Sequence, residues 1–183
     1  MLRSFLKTEK IKSWVPLALA ITGLSGLVYL ALQQSIRSSA NDPQIQLAED
    51  FAATLGTGIA PQSILPQGQL DISKSLAPYA IIYDEGGNPL GSSGILDGKI
   101  PQAPKGVLDY VKKYGENRIT WQPKEGVRSA IVVKSFTSNG STGYVLIGRS
   151  LREVEKRADQ IILQVGLAWI ATLIVSLFAA LLF

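Results

Sequence analysis

The chain has 183 residues, a net charge of +4, and neither histidine nor cysteine. Without imidazole or thiol it has no His or Cys nucleophile, no disulfide, and no ligand set for nearly all zinc, haem or iron–sulfur sites. No metal or cofactor is implied, and nothing in the pattern argues for an enzyme.

Residues 1–12 carry Arg3, Lys7, Lys10 and Lys12 against Glu9, a local charge of +3, whereas residues 37–159 hold 14 basic and 13 acidic residues. The basic excess therefore sits in a short tail, where it reads as a cytoplasmic retention signal and argues against a nucleic-acid partner. Ser13 to Ile36 contains no charged residue over 24 positions. At 1.5 Å per residue a helix of that length reaches ~36 Å, enough to cross a hydrocarbon core of roughly 30 Å. Trp14 suits the inner interface, and Pro16 falls in the first turn of such a span, where its missing N–H costs little. A secretory signal peptide ending at Ser38-Ser39-Ala40 is the alternative. Against it stand the length of the apolar run and Arg37 within the would-be cleavage segment. Both readings put residues 37–159 outside the cell.

After the span, Asn41-Asp42-Pro43 offers an N-cap followed by Pro at N1, and Ile45, Ala48, Phe51, Ala52 and Leu55 recur at helical spacing up to Gly56 or Gly58. Residues 57–78, rich in Pro and Gly, read as a loop with at most a short helical turn. Tyr79 to Tyr83 is a strand, Asp84 to Pro89 a turn, and Leu90 to Ser93 a second strand, giving a hairpin. Val107, Leu108, Val111 and Tyr114 share one face of a helix over 104–114 that Gly115 terminates. Strands follow at Arg118 to Gln122, Val127 to Phe136 and Thr142 to Arg149, the last two joined by the hairpin pair Asn139-Gly140. Arg149 to Arg157 opens a charged helix that runs into a second uncharged stretch, Gln160 to Phe183, also of 24 residues.

This order of elements, with the Asp84 to Pro89 hairpin and a last strand running into a charged helix and a span, resembles a known family. It is similar to the extracytoplasmic PAS-like or single Cache sensor domain between the two spans of many bacterial sensor histidine kinases and chemoreceptors. The resemblance covers residues 37–183. It implies an α+β fold: an antiparallel five-stranded sheet with helices on one side, flanked by two transmembrane helices and carrying a small-ligand pocket. Such receptors continue into a cytoplasmic output module after the second span, whereas this sequence stops at Phe183. The expected protein is thus a bacterial inner-membrane sensor-like or docking domain that acts through a separate membrane signalling partner. The alternative is an accessory subunit of a membrane complex without a ligand.

Two sets of residues are candidates for function. Arg128 and Lys134, with Trp121 and Tyr83 near them by topology, would hold a small carboxylate ligand through a charged fork and an aromatic platform, if they are not simply strand-start and core residues. Leu151, Val154, Ala158, Ile161, Val165, Ala168 and Thr172 recur in steps of three and four as an apolar seam. Along it the two spans would pack, or two chains would form a homodimer, with Gly23 and Gly26 as a matching small face within the lipid bilayer.

Overall fold

A computed structural model of the chain describes residues 2–39 and 42–182. The Asn41 N-cap, Ala40 of the cleavage-site reading and Phe183 lie outside the described residues. In chain order the elements are α1 (Leu2–Ser39), α2 (Asp42–Gly56), α3 (Pro61–Ile64), β1 (Leu70–Asp71), β2 (Tyr79–Tyr83), β3 (Pro89–Ser92), β4 (Gly94–Ile95), α4 (Lys105–Tyr114), β5 (Glu116–Lys124), β6 (Val127–Ser138), β7 (Ser141–Ser150) and α5 (Arg152–Leu182). They form two compact units: the long apolar helices make one, and Ser38–Val154 makes the other.

The second unit is an α+β domain on a five-stranded antiparallel sheet in the order β3-β2-β7-β6-β5. β3 and β5 are the two edges, so the chain between them has to cross the sheet, and α4 lies in that crossing. The turns fit the chemistry of their residues. Asn139 and Gly140 both adopt positive φ, 50° and 80°, which a two-residue β6–β7 hairpin of type I′ demands. Gly115 ends α4 in the left-handed conformation and donates its N–H to Val111 O at 2.7 Å.

The expectation of helices on one side is corrected by the packing. On one face Ile81, Tyr83, Ile131, Val133 and Leu146 pack with Val107, Leu108 and Val111 of α4. On the other, Ala80, Ile82, Val132, Val145 and Ile147 pack with Ala48, Ala52 and Leu55 of α2. The cause lies in the strands themselves. β2 reads Tyr-Ala-Ile-Ile-Tyr and every residue in it is buried, so both faces are apolar and each needs a helix to exclude water. Tyr83 spans the α4 face: its hydroxyl donates to Pro101 O at 3.1 Å and accepts from Ala103 N at 3.2 Å, pinning the segment that leads into α4. Burial pushes its phenol well above the ordinary tyrosine value.

The 57–78 loop holds one short helical turn, α3, as expected, and adds β1, which pairs in parallel with β4 over two residues. Tyr114 is exposed rather than packed on the sheet. Its ring lies 4.5 Å from that of Tyr110, one turn earlier, with Lys113 Nζ 5.0 Å from its centroid. Pro16 is not in a first turn, because α1 begins at Leu2 and continues through it.

In the other unit, Ile11–Ile36 and Arg152–Leu182 are long and apolar enough to cross a membrane, with none of their most apolar stretch buried. The two helices run antiparallel. Trp14 Nε1 on α1 donates to Ser176 Oγ on α5 at 2.9 Å, and Trp169 Nε1 on α5 donates to Thr22 Oγ1 on α1 at 3.0 Å.

Candidate functional site

The four residues expected to form a carboxylate fork do not share a face. Tyr83 and Trp121 belong to the core on the α4 side. Lys134 points to the α2 side, where its Nζ pairs with Glu49 of α2 at 3.0 Å and with Glu116 of β5 at 3.5 Å. Arg128 is exposed at the start of β6, six positions or about 20 Å from Lys134 along the strand. Its carbonyl accepts from Leu151 N at 2.9 Å, which ties the end of β7 back to β6. Side-chain alternation explains the split: Arg128 and Lys134 are even-numbered with Val132, whereas the aromatic pair sits with odd-numbered Ile131 and Val133.

The seam residues divide as well. Leu151 precedes α5, and Val154, Ala158, Ile161 and Val165 are half-buried, but Ala168 and Thr172 are exposed. Past Val165 the covered line moves to Trp169, Leu173, Ser176 and Ala180. A strict alternation of three and four steps has a period of 3.5, and a straight helix drifts from it by ~20° per heptad. On α1 the covered line is Trp14, Ala18, Ile21, Ser25, Tyr29 and Gln33. Gly23 and Gly26 lie off it, with open space where a Cβ would be. The contact therefore includes indoles reaching across to hydroxyls, Trp14 to Ser176 and Trp169 to Thr22, along lines that mix large residues with Ala and Ser. Trp169 bonds Thr22 across the pair, and within α1 Tyr29 Oη accepts from Gln33 Nε2 at 3.3 Å.

A further feature has no counterpart among the sequence candidates. A cleft of about 440 Å³ opens where the C-terminus of α2, the start of α3, the β2–β3 turn and the β6–β7 hairpin converge. α2 runs parallel to β6, since Glu49 meets Lys134 and Gly56 lies by Thr137. The cleft is thus at the end of the sheet opposite to the α2 N-terminus and the β7 C-terminus. Its apolar wall is Leu55, Ile59, Leu90 and Phe136. Ile59 and Leu90 are 45% and 43% exposed, so neither belongs to the core. α3 is held in place by Gln62, whose Nε2 donates to Leu90 O at 3.1 Å.

The polar rim of the cleft carries Asp84 and Glu85 on one side and Ser138, Asn139 and Ser141 on another, with no Lys or Arg among the described residues that line it. Asp84 accepts from Asn88 Nδ2 at 2.9 Å and from Asn88 N at 2.8 Å. These bonds, the side-chain one first, hold its carboxyl below the ordinary aspartate value. Glu85 Oε1 accepts from Lys112 of α4 at 3.1 Å, which raises the Lys112 ammonium above its usual value. A second, more open hollow of about 690 Å³ beside Trp121 is bridged by Lys124, whose Nζ lies 2.9 Å from both oxygens of Asp97.

The signal that would have pointed to the cleft is weak but present: Gly58, Pro61 and Asn139 all punctuate the chain around isolated apolar Ile59 and Leu90. No protein-family model matches the chain, and no curated protein is similar enough to it to match.

Proposed function

We propose that this is a two-span protein of a bacterial inner membrane, with its N-terminus inside and residues 37–159 outside. Its PAS-like or Cache-like domain receives a ligand or docks a partner and works by association with another membrane protein. The observation that carries the reading is an antiparallel five-stranded sheet set in the chain between two helices long and apolar enough to span. The cleft at the hairpin end supports a ligand or peptide contact of modest size, within the ~300–1,000 Å³ usual for such sites.

A second reading, an accessory subunit whose domain is a platform without a ligand, is favoured by the filled sheet. Ile81, Ile82, Val132, Val133, Val145 and Leu146 are all completely buried between the sheet and its helices. Photo-crosslinkers placed at Ala168, Thr172 and Val175 of α5, in native membranes, test association. A discrete crosslinked product with another membrane protein is expected, and its absence at every position contradicts the association reading. Ligand-induced stabilisation of the full chain then separates sensor from platform.

A further inference from the structure

Tyr79, the first residue of β2, pairs with Gly148 near the end of β7, so the loop 74–78 lies at the end of the sheet where β7 leads into α5. Leu76 in that loop is 38% exposed, and Ala77 and Pro78 are exposed beside it. These three apolar side chains in succession serve no core. Two exposed arginines hold the loop: Arg149 of β7 donates from Nε to Leu76 O at 3.4 Å, and Arg152, the first residue of α5, donates from Nη2 to Lys74 O at 2.8 Å. A carbonyl satisfies a donor but does not neutralise its charge. Lys74 differs, because Asp71 pairs with it at 3.4 Å. Helix α5 gains nothing from the charge of Arg152, since a cation at an N-terminus opposes the macrodipole, and Glu153, one position on, does not face it.

Position along the chain says what meets these groups. The 31 residues of α5 reach ~46 Å, about the ~40–45 Å of a bilayer with its headgroups. Its uncharged stretch starts at Gln160, ~12 Å along the helix from Arg152. On the two-span reading Arg152 thus stands within a side chain's length of the lipid phosphates. We infer that the 74–78 loop, with Arg149 and Arg152, docks the sheet domain on the bilayer that α5 crosses. The guanidiniums bind phosphates of anionic phospholipids, and Leu76, Ala77 and Pro78 enter the interface. The guanidinium fork matches phosphate geometry, and the apolar tip selects a lipid interface over an acidic protein surface, which would take the charges and leave Leu76 in water. The inference rests on the two-span reading and adds the surface on which the domain lies.

The test places the full chain in nanodiscs of phosphatidylcholine alone or with phosphatidylglycerol at about 30%, an anionic surface, both containing a lipid with a nitroxide on its headgroup. A fluorophore is attached at Ala77→Cys, the natural chain having no thiol, and Asn139→Cys at the far end of the sheet is the control. The Ala77 probe is quenched, more strongly with phosphatidylglycerol, and the Asn139 probe is not. Arg149→Gln with Arg152→Gln lowers the docked-to-free ratio about 30-fold, that is ~1 kcal/mol per arginine at an anionic surface. Arg149→Lys with Arg152→Lys keeps the charge and retains docking, and an unchanged melting temperature shows that both double variants fold. Equal quenching at Ala77 in the two lipids overturns the inference, as does none at all, or quenching indifferent to the glutamine pair. Capture of protein and no phospholipid by a photo-crosslinker at Leu76 in native membranes also overturns it. A chain-nitroxide lipid that still quenches a probe at Ile170→Cys of α5 leaves the two-span reading intact when docking fails, so the two fail separately.

Discussion

In the sheet unit, Ile81 and Ile82 are neighbours in the chain, point to opposite faces, and are both wholly buried. In the helix pair, α5 has no buried residue along its 31 positions, and two indole-to-hydroxyl hydrogen bonds tie it to α1. On the two-span reading proposed above, the same residue types work in the two regions under different solvents. Water drives Ile81 and Ile82 inward. A hydrocarbon surround gives an aliphatic side chain no preference for a neighbouring helix over lipid, so polar tips specify the contact instead. Burial thus organises one unit and hydrogen bonding the other.

The sharpest way to break this comparison is to truncate the two isoleucines. Ile81→Ala and Ile82→Ala should each cost about 2–5 kcal/mol, and by similar amounts, because both faces of the sheet are covered. Urea titration of the full chain in detergent, followed by near-UV circular dichroism, checks this; a loss confined to Ile81 would mean that α2 does not seal its face. Next comes overpacking. Gly148 lies in the central strand β7 directly beneath the Tyr79 ring, and an added Cβ would collide with Tyr79 Cζ and sit 2.5 Å from its Oη. Gly148→Ala should cost about 3 kcal/mol by the same measurement.

Base sensitivity is of similar or slightly smaller size. Burial pushes the Tyr79 phenol up to about 12 from 10.0. The unfolded chain therefore loses this proton first, and stability that is complete below pH 10 declines as pH rises toward 12. The total contribution is about 2–3 kcal/mol, read from melting temperatures between pH 9 and 12. Tyr79→Phe should flatten part of that decline.

The helix pair should respond far less. Trp169→Phe removes the indole bond to Thr22 and should cost about 0.6 kcal/mol in helix association, read by crosslinking between single cysteines on α1 and α5. Gly23→Ala should change nothing, since a Cβ there meets only open space. A large effect of Gly23→Ala with none from Trp169→Phe would restore close packing of small residues and reverse the comparison.

What the sequence made legible follows the strength of its periodic signals. The hairpin at Asn139-Gly140, the cap at Gly115 and the amphipathic α2 are local features, each set by one or two residues whose backbone preferences leave little choice. The two faces of the sheet were harder to read. Tyr79 to Tyr83 gives a strand, but only the three-dimensional stacking of α2 and α4 tells that neither face meets water. The 3.5-residue seam on α5 departs from the covered line past Val165, where that line continues through Trp169, Leu173 and Ser176; a helix of 3.6 residues per turn drifts from a 3.5 repeat by a tenth of a residue per turn, which accumulates unseen in the sequence. The cleft was not legible because Leu55, Asp84 and Asn139 come together from the end of α2 and two separate turns, each explained by its local chemistry.

The central claim is that α1 and α5 cross a membrane and carry the sheet domain on its outer side. The natural chain lacks cysteine, so a single introduced thiol is the only site for a maleimide. Asn139→Cys, at the hairpin tip, should react with a membrane-impermeant maleimide in intact cells stripped of their outer envelope, while Lys12→Cys should react only after the membrane is opened. Equal labelling of both sites in sealed cells, or labelling of Lys12→Cys alone, would contradict the account.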